Sequence, residues 1–438
     1  MAKFNPLRQL PLSANYGPKD TLVVFGEVFS RGYVNGLIEE AERKGMKVVY
    51  TTVGRRDADT QKLRPLTAEE LKEKQQAPLI NVPLEAGFDL IPWSDGQTLV
   101  DKISGYKMSE WDKVSVDRKE LEDIILQSRK DFKTRTADMI KALEKDIPLE
   151  GHIVFAHTMA GGIPRAKIIM PCLNKIFKGS GDRYQSSEEF WNTDLGYLCD
   201  RSFDEVTANT YQILIDETQE LREKKAKAGL KVSYVAYGYH GCDTYVESKD
   251  DYIWQSYSPY LQGWAKIKLE TIAEESLKQN IQASVFNAPE ILTNSSSVFL
   301  GIEVCLYPLL TALRHEGLSP SHPLFKESQS KLKEGYTLQD IEAYVQKYLN
   351  ADTKDFESEF NKWPTHNQPE QMDRMKRASA ELMDMHTDSK NLCTADLSEI
   401  VFKACGGLML DKSYDLGDAV WWIGHDIVSK WTVARQNL

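Results

Sequence analysis

A tyrosine and a lysine separated by eight residues, Tyr257 and Lys266, form the pair in this chain that is best suited to acid–base chemistry. A phenol titrates near pH ~10 and is a weak acid at neutral pH, unless a nearby cation stabilises its phenolate. A lysine on the following helix supplies that cation and can also hydrogen-bond a cofactor ribose. The alternative is that Tyr257 is an ordinary core residue and Lys266 an ordinary surface residue, because both residue types are common.

A glycine-rich turn, GEVFSRGYVNG from Gly26 to Gly36, is the second place where chemistry is expected. Glycine lets the backbone approach a pyrophosphate at a helix N-terminus, where free N–H groups and the helix dipole favour anions. The spacing G-x5-G-x3-G departs from G-x-G-x-x-G, so the turn is a weak motif by itself. The order strand, turn, helix, strand supports it. We therefore expect cofactor contacts from Gly26, Ser30, Arg31 and Gly32.

The end of the second predicted strand indicates which dinucleotide binds. An acidic residue there would hold the ribose 2′-OH of NAD, whereas arginine suits the 2′-phosphate of NADP. Arg55 and Arg56 occur at this point, with no acid before Asp57. The sequence therefore favours NADP(H), with NAD(H) possible; the alternative is that both arginines are solvated loop charges.

Apolar segments of strand length alternate with helical segments along most of the chain. The predicted strands are Thr21–Phe25, Lys47–Val53, Leu79–Val82, His152–His157, Lys231–Tyr239 and Ile281–Ala288. Residues 171–200 read as an irregular insertion, 203–228 as one long helix, and the pattern after residue 300 as helical. The fold expected is α/β: a Rossmann-like, doubly wound parallel sheet in residues 1–335, with a helical C-terminal extension, 336–438, packed on it.

Composition excludes several classes of function. The chain has 438 residues with 54 Lys and Arg against 65 Asp and Glu, a net charge of −11, which argues against nucleic acid as a partner. No apolar run reaches the length of about 18 residues that a membrane helix needs. The N-terminal segment lacks an apolar signal core, and the scattered cysteines and acids show no metal-ligand spacing. We expect a cytoplasmic protein, monomeric or dimeric, without a bound metal or membrane insertion.

These motifs together resemble the short-chain dehydrogenase/reductase superfamily. Residues 158–161 (TMAG) stand where its N-N-A-G turn would be, and residues 203–209 resemble the helix that carries its active-site asparagine. The closest resemblance is to the single-chain trans-2-enoyl-ACP and trans-2-enoyl-CoA reductases, which share the Y-x8-K spacing. Residues 236–241 (AYGYHG) resemble their A-Y-x-Y-x-G strand end. Residues 287–297 resemble their loop and substrate helix.

The resemblance implies an NAD(P)H-dependent reductase of α,β-unsaturated acyl thioesters, with acyl carrier protein as a possible carrier. Hydride would reach the β-carbon while Tyr257 stabilises the enolate. Lys266 would support Tyr257 and bind the nicotinamide ribose, and Tyr239 would be a second donor. The resemblance also places Ala160 and Gly161 in the cofactor site, and Ser295 and Ser296 at the substrate.

Two alternatives remain open at this stage. A carbonyl reductase of the same superfamily would keep Tyr257 and Lys266, and Asn209 favours it slightly. A non-catalytic NADP(H)-binding sensor or scaffold is the second, because Tyr239 stands where most of the superfamily has serine. An insertion near Val246 to Ile253 also makes Tyr260 a rival to Tyr257 as the acid.

Overall fold

The computed structural model describes residues 4–74, 76–162, 164–178, 188–256, 262–293, 301–351, 356–365 and 369–436. Three predicted site residues, Tyr257, Ser295 and Ser296, lie outside these ranges, as does Tyr260. The fold and the site are formed by the remaining, described residues.

Seven parallel strands form the central sheet. They are β1 Thr21–Phe25, β2 Lys47–Thr52, β5 Leu79–Pro83, β6 Ile153–His157, β7 Val232–Gly238, β10 Gln282–Asn287 and β11 Val420–Trp422. Their order across the sheet is β11-β10-β7-β6-β1-β2-β5. The chain builds outward from β1 through β2 to β5, then returns to the other side of β1 as β6. This is the Rossmann order with one added strand, and its switch point lies between β1 and β6.

Two short antiparallel hairpins accompany the sheet. One pairs β3 Arg55–Arg56 with β4 Leu63–Arg64, and the other pairs β8 Cys242–Val246 with β9 Asp251–Gln255. The second hairpin is the insertion noticed in the sequence near Val246. It lies between β7 and the segment that carries Tyr257, so it separates the two predicted tyrosines by a folded element.

Helices connect and flank the strands. They are α1 Tyr33–Arg43, α2 Ala68–Lys74, α3 Leu99–Ile103, α4 Arg118–Asp146, α5 Ile169–Lys178, α6 Glu188–Trp191, α7 Asp194–Phe203, α8 Thr210–Glu217, α9 Gln219–Lys227, α10 Gly263–Lys278, α11 Ile302–Leu306, α12 Pro308–His315, α13 Pro323–Ser330, α14 Leu338–Asn350, α15 Phe356–Lys362, α16 Pro369–Asp384, α17 Thr394–Tyr414 and α18 His425–Arg435. Among the described residues, none of these helices has the length and apolarity needed to cross a bilayer. A π-helical segment, Asp204–Asn209, joins α7 to α8, and two 3₁₀ segments span Met108–Lys113 and Glu247–Lys249.

The sheet and its flanking helices confirm the predicted fold class, and three local predictions were wrong. Residues 171–200 contain helical segments (α5, α6 and α7) rather than an irregular insertion. The single helix expected over 203–228 is divided into a π-helical segment, α8 and α9. Strand β11 comes from the region predicted to be entirely helical. Its three residues are too few to show a period, and only pairing with β10 makes them a strand.

Helix α1 packs directly against α17 through two glycines. A Cβ atom at Gly36 would lie 1.9 Å from the carbonyl oxygen of Phe402, and one at Gly406 would lie 2.1 Å from the carbonyl carbon of Gly36. The third glycine of the turn motif therefore allows two helices to approach closely. It does not serve the cofactor directly.

We expect Gly36→Ala to lower the melting temperature of the protein. Alanine favours a helix by about 1 kcal/mol over glycine, but overpacking typically costs about 1–3 kcal/mol, and here the clash is with backbone that cannot rotate away. Thermal unfolding followed by circular dichroism checks this. Gly105→Ala is the matched control, since a Cβ there meets open space. A Gly36 variant as stable as the control would contradict the packing argument.

Candidate active site

The Gly26 turn and the segment after β6 meet at the switch point of the sheet. Gly26 has a φ of 126°, a conformation that favours glycine, and its amide donates to Thr51 Oγ1 at 3.0 Å. A Cβ at Gly26 would lie 2.3 Å from Thr158 Oγ1. The amide of Thr158 in turn donates to the carbonyl of Phe25 at 2.9 Å. The carboxyl ends of β1 and β6 are thus joined where doubly wound folds bind their ligands.

The N-terminus of α1 lies at this edge. Gly32 precedes the helix, and no side chain caps the N-terminal N–H groups. Ser30 and Arg31 are exposed in the same turn. Across the switch point Gly161 has a φ of 102°, and a side chain there would enter open space; Ala160 beside it is exposed. This arrangement fits the pyrophosphate of a dinucleotide, which needs N–H donors and close backbone approach.

Arg55 and Arg56 are not free at the end of β2. Arg55 donates to both carboxylate oxygens of Glu27, at 3.1 and 3.2 Å, and Arg56 forms an ion pair with Glu85. Lys74 also pairs with Glu27. Both arginines are therefore already engaged with carboxylates, and contact of either one with a 2′-phosphate stays a prediction.

Glu27 is the acidic residue that the sequence search missed. Its carboxylate lies 3.4 Å from both the amide of Val53 and the hydroxyl of Thr52, at the end of β2. Burial alone would raise the pKa of Glu27, but the hydrogen bonds from Arg55 and Lys74 outweigh burial and lower it. An acidic residue was expected at the end of β2 itself, whereas the fold supplies one from the residue after Gly26.

Lys266 is buried on α10 beneath the carboxyl end of β7. Its ammonium donates to the carbonyl of Tyr237 at 2.6 Å. Burial lowers the pKa of Lys266 to about 8, against the opposing influence of Glu270 one turn along the helix. The lysine therefore lies at the sheet edge expected for it, as a desolvated cation held by a backbone oxygen.

Tyr239 follows β7 and takes part in a buried polar contact. Its hydroxyl donates to the carboxyl group of Glu290 and lies 3.3 Å from Ser256 Oγ. Ser256 immediately precedes Tyr257 in the chain, and Tyr257 itself is outside the described residues.

A second polar cluster fixes α10 to the sheet. Glu270 accepts from the side chain of Asn287 at 2.8 Å, and the ring of His240 lies 3.3 Å from the same oxygen. His240 is stacked between Phe360 and Trp363, with ring centroids 4.5 and 4.3 Å away. Because Glu270 and Lys266 share one helix face, this cluster holds the lysine in place.

The turn and the segment after β10 also touch. Tyr33, the first residue of α1, donates to the carbonyl of Pro289 and stacks on Tyr237 with ring centroids 5.5 Å apart. Glu290 follows Pro289 directly. The residues that surround Tyr239 are therefore tied to the turn expected to hold the cofactor.

Beside Glu290 a small cavity of about 20 Å³ lies between the β8–β9 hairpin and the C-terminal helices. Its lining includes Cys242, Glu290, Val304, Cys305, Pro308 and Leu349. The other lining residues, Thr244, Gln255, Ser256, Tyr348 and Gln371, are polar, so the lining is mixed. Burial raises the pKa of Glu290 to about 7 even though the hydrogen bond from Tyr239 lowers it.

The structure therefore gathers the Gly26 turn, Gly161 and Lys266 along one sheet edge, and Tyr239 lies two residues beyond Tyr237, whose carbonyl holds Lys266. Arg55 and Arg56 are engaged with Glu27 and Glu85, and Tyr257, Ser295 and Ser296 lie outside the described residues. His157, which could have lined the site, is buried with its ring 2.8 Å from the hydroxyl of Thr210. It is a structural histidine.

Comparison with known proteins identifies the family. No curated protein matches the chain. An apo structure of FabMG, a novel type of enoyl-acyl carrier protein reductase, is similar at 40% identity and TM-score 0.92, covering 100% of both chains. An NADH-bound structure of FabMG is similar at 36% identity and TM-score 0.76, covering 98% of this chain and 99% of that one.

The resemblance to enoyl-ACP reductases is confirmed at the level of the family, whereas the single-chain Y-x8-K type stays a prediction. The family match favours an enoyl reductase over the carbonyl reductase and the non-catalytic alternative. Because the enoyl-acyl carrier protein reductase FabMG family matches residues 3–432, the chain belongs to that family and is an NAD(P)H-dependent oxidoreductase.

Proposed function

We propose that the protein reduces the carbon–carbon double bond of an enoyl group carried as a thioester by acyl carrier protein. The observation that carries this proposal is the family match over residues 3–432, which extends across both the cofactor edge and the cavity. The bound nicotinamide cofactor supplies the hydride. The residues of the chain bind and orient the reactants and manage charge and protons.

The cofactor is proposed to lie along the sheet edge described above. Gly26 and Gly32 permit close approach of its pyrophosphate, and the N-terminus of α1 offers N–H donors and a favourable dipole. Gly161 leaves room across the switch point. Lys266, which is held at the end of β7, is assigned to the nicotinamide ribose.

Tyr257 is proposed to stabilise the charge that develops on the thioester oxygen when the β-carbon is reduced. The buried ammonium of Lys266 favours a charged or strongly hydrogen-bonding phenol next to it. Tyr239 is a second donor, since its hydroxyl lies 3.3 Å from the residue before Tyr257. Ser295 and Ser296 are assigned to the substrate side because they precede α11, two residues of which line the cavity.

The cavity beside Glu290 is proposed to take the acyl chain. Val304, Cys305 and Pro308 line it, and they belong to α11 and to the start of α12. Burying methylene groups there would contribute about 0.8 kcal/mol for each one. At about 20 Å³ the cavity is smaller than an acyl chain, so we expect the lining helices to move apart when the chain enters.

NADH is proposed as the cofactor in place of the NADP(H) expected from the arginines. Arg55 already neutralises Glu27, and Arg56 pairs with Glu85, so neither is an unpaired partner for a 2′-phosphate. A carboxylate at the end of β2 suits ribose hydroxyls. The FabMG structure that is 36% identical to this chain holds NADH, which supports the same choice here.

The reaction is tested by oxidation of NADH, and separately of NADPH, with crotonyl-, octenoyl- and acetoacetyl-thioesters on acyl carrier protein and on coenzyme A. We expect turnover of the enoyl substrates and little or none of the keto substrate, because the proposed site protonates carbon after reduction at the β-carbon. Faster reduction of acetoacetyl-thioester than of crotonyl-thioester would favour the carbonyl reductase instead.

Cofactor choice is tested with Glu27→Gln. We expect NADH binding to weaken and NADPH binding to tighten, because the variant loses a repelling charge and releases Arg55 and Lys74 for a phosphate. A charge-assisted contact is worth about 1.5–3 kcal/mol, or roughly tenfold or more in Kd. Fluorescence titration of the protein with each cofactor measures both affinities.

Glu85→Gln is the matched control, because it frees Arg56 and leaves Glu27 intact. Wild-type protein that binds NADPH as tightly as NADH would contradict the assignment.

The acid is tested by Tyr257→Phe beside Tyr260→Phe. Removing the phenol of Tyr257 should lower kcat by about 10²- to 10⁴-fold, the usual range for a general acid, with cofactor binding little changed. The ring is kept, so folding should survive. Steady-state kinetics with crotonyl-ACP decide between the tyrosines: loss of turnover in the Tyr260 variant alone would show that the β8–β9 insertion shifts the register.

Lys266→Ala is the companion variant. It should reduce kcat and weaken NADH binding together, since one ammonium serves the tyrosine and the ribose. Lost turnover with unchanged NADH binding, measured by titration, would contradict the assignment of Lys266 to the ribose.

A further inference from the structure

A buried carboxyl group lies between the cavity and Tyr239. Glu290 is 7% exposed and, within the described ranges, no lysine or arginine forms an ion pair with it. The titratable groups that face it are Tyr239 at the end of β7, Cys242 at the start of β8 and Cys305 on α11. Neither thiol competes with it near neutral pH, because burial raises the pKa of Cys242 and of Cys305 well above the ordinary range.

Hydrogen bonds connect this carboxyl group to the proposed reaction site. Tyr239 Oη contacts the Glu290 carboxyl oxygen and lies 3.3 Å from Ser256 Oγ. Trp363 Nε1 also donates to Ser256 Oγ, at 3.2 Å, which fixes that hydroxyl. Ser256 directly precedes Tyr257, so the connection runs from the cavity wall to the segment of the proposed acid.

Enoyl reduction needs a proton as well as a hydride. Once the β-carbon has accepted hydride from the cofactor, the electron pair of the enolate must form a C–H bond at the α-carbon. Lys266 is engaged with a backbone carbonyl, and the thiols are tightly protonated. A neutral carboxylic acid with a path to the site is therefore the best-placed source among the described groups.

We propose that Glu290 is the proton reservoir of the reaction and delivers its proton through the hydroxyl of Tyr239. The hydroxyl of Tyr239, which donates to Glu290 in this structure, must rotate so that its O–H proton passes to the α-carbon and the enolate pair becomes the C–H bond. Tyr239 Oη takes the proton of neutral Glu290 in the same step, as the Glu290 O–H bond breaks. Glu290 is left as a carboxylate and regains a proton from solvent. This assignment rests on the proposed enoyl reductase function.

Titration behaviour supports this geometry and sets the pH dependence. Burial raises the pKa of Glu290 to about 7. The acid form, which is the donor, dominates below that pH and is lost as the pH rises through it. The relay therefore weakens on the alkaline side of neutral, before Lys266 loses its own proton near its pKa of about 8.

The principal test is Glu290→Gln, which keeps shape and hydrogen bonding but removes the proton source. We expect kcat with crotonyl-ACP to fall about 10²-fold, the lower end of acid–base effects, with the KM values for NADH and substrate nearly unchanged. The decline of kcat near pH 7 should disappear, and the later decline from Lys266 should remain. Glu303→Gln is the matched control. Glu303 is also buried with a raised pKa and bonds Ser379, but it is not among the cavity-lining residues.

The protonation state of Glu290 can be measured without turnover. Infrared titration of the protein should show a buried carboxylic acid band that disappears near neutral pH in wild type and in Tyr239→Phe, and that is missing in Glu290→Gln. Adding Tyr239→Phe to Glu290→Gln should lower kcat no further than the larger single effect, because both act in one path.

Two results would overturn the relay. Glu290→Gln with the kcat and pH profile of wild type would show that the proton comes from elsewhere, and so would an infrared titration that finds Glu290 ionised well below neutral pH. A wild-type protein without enoyl reductase activity would instead overturn the proposed function and the relay with it. The unfolding midpoint of Glu290→Gln, compared with Glu303→Gln, identifies a loss of activity that is due to misfolding.

Discussion

The close approach of two strand ends at the switch point is the constraint on which the rest of the site depends. There is no room for a side chain at Gly26, because its Cβ would lie 2.3 Å from Thr158 Oγ1. With the two ends joined, the N-terminus of α1 points along the sheet edge, and Tyr33 reaches the carbonyl of Pro289 across the ends of the intervening strands. A residue larger than glycine would separate the cofactor turn from the segment that carries Glu290.

The second feature of the site is the burial of the ionisable side chains of Lys266, Glu270 and Glu290. An isolated ammonium or carboxylate is expensive to bury unless hydrogen bonds or opposite charges compensate it. Lys266 meets a carbonyl at 2.6 Å and has Glu270 one turn away, and Glu270 is itself held by Asn287. Glu290 lacks a cationic partner among the described residues and responds by binding its proton more tightly. One helix and two strand ends thus present a buried cation and a buried carboxyl group with a raised pKa.

Sequence patterns predicted the sheet correctly but not the pairing and burial of the charged residues, and both outcomes have physical reasons. A strand such as Thr21–Phe25 is buried on both faces, so its apolar run is visible without knowledge of its neighbours. The meaning of Arg55 depends on Glu27, which is far from it in sequence and reaches it only because β1 and β2 end side by side. Glu290 is one acid among many in the sequence, and only the tertiary structure shows that it is buried. Strand β11 was invisible because its pairing with β10 is non-local.

The C-terminal region has a larger part in the site than its predicted role as an extension suggests. Strand β11 extends the central sheet, and Phe360 and Trp363 enclose the ring of His240, which contacts Glu270. Leu349 on α14 and Gln371 on α16 line the cavity beside Glu290. The Rossmann-like strands therefore provide the proposed cofactor edge, at the switch point of the sheet, while the later helices close the cavity proposed for the acyl chain. Differences in chain-length preference between family members should follow from these helices, because the strand ends are already constrained by the cofactor.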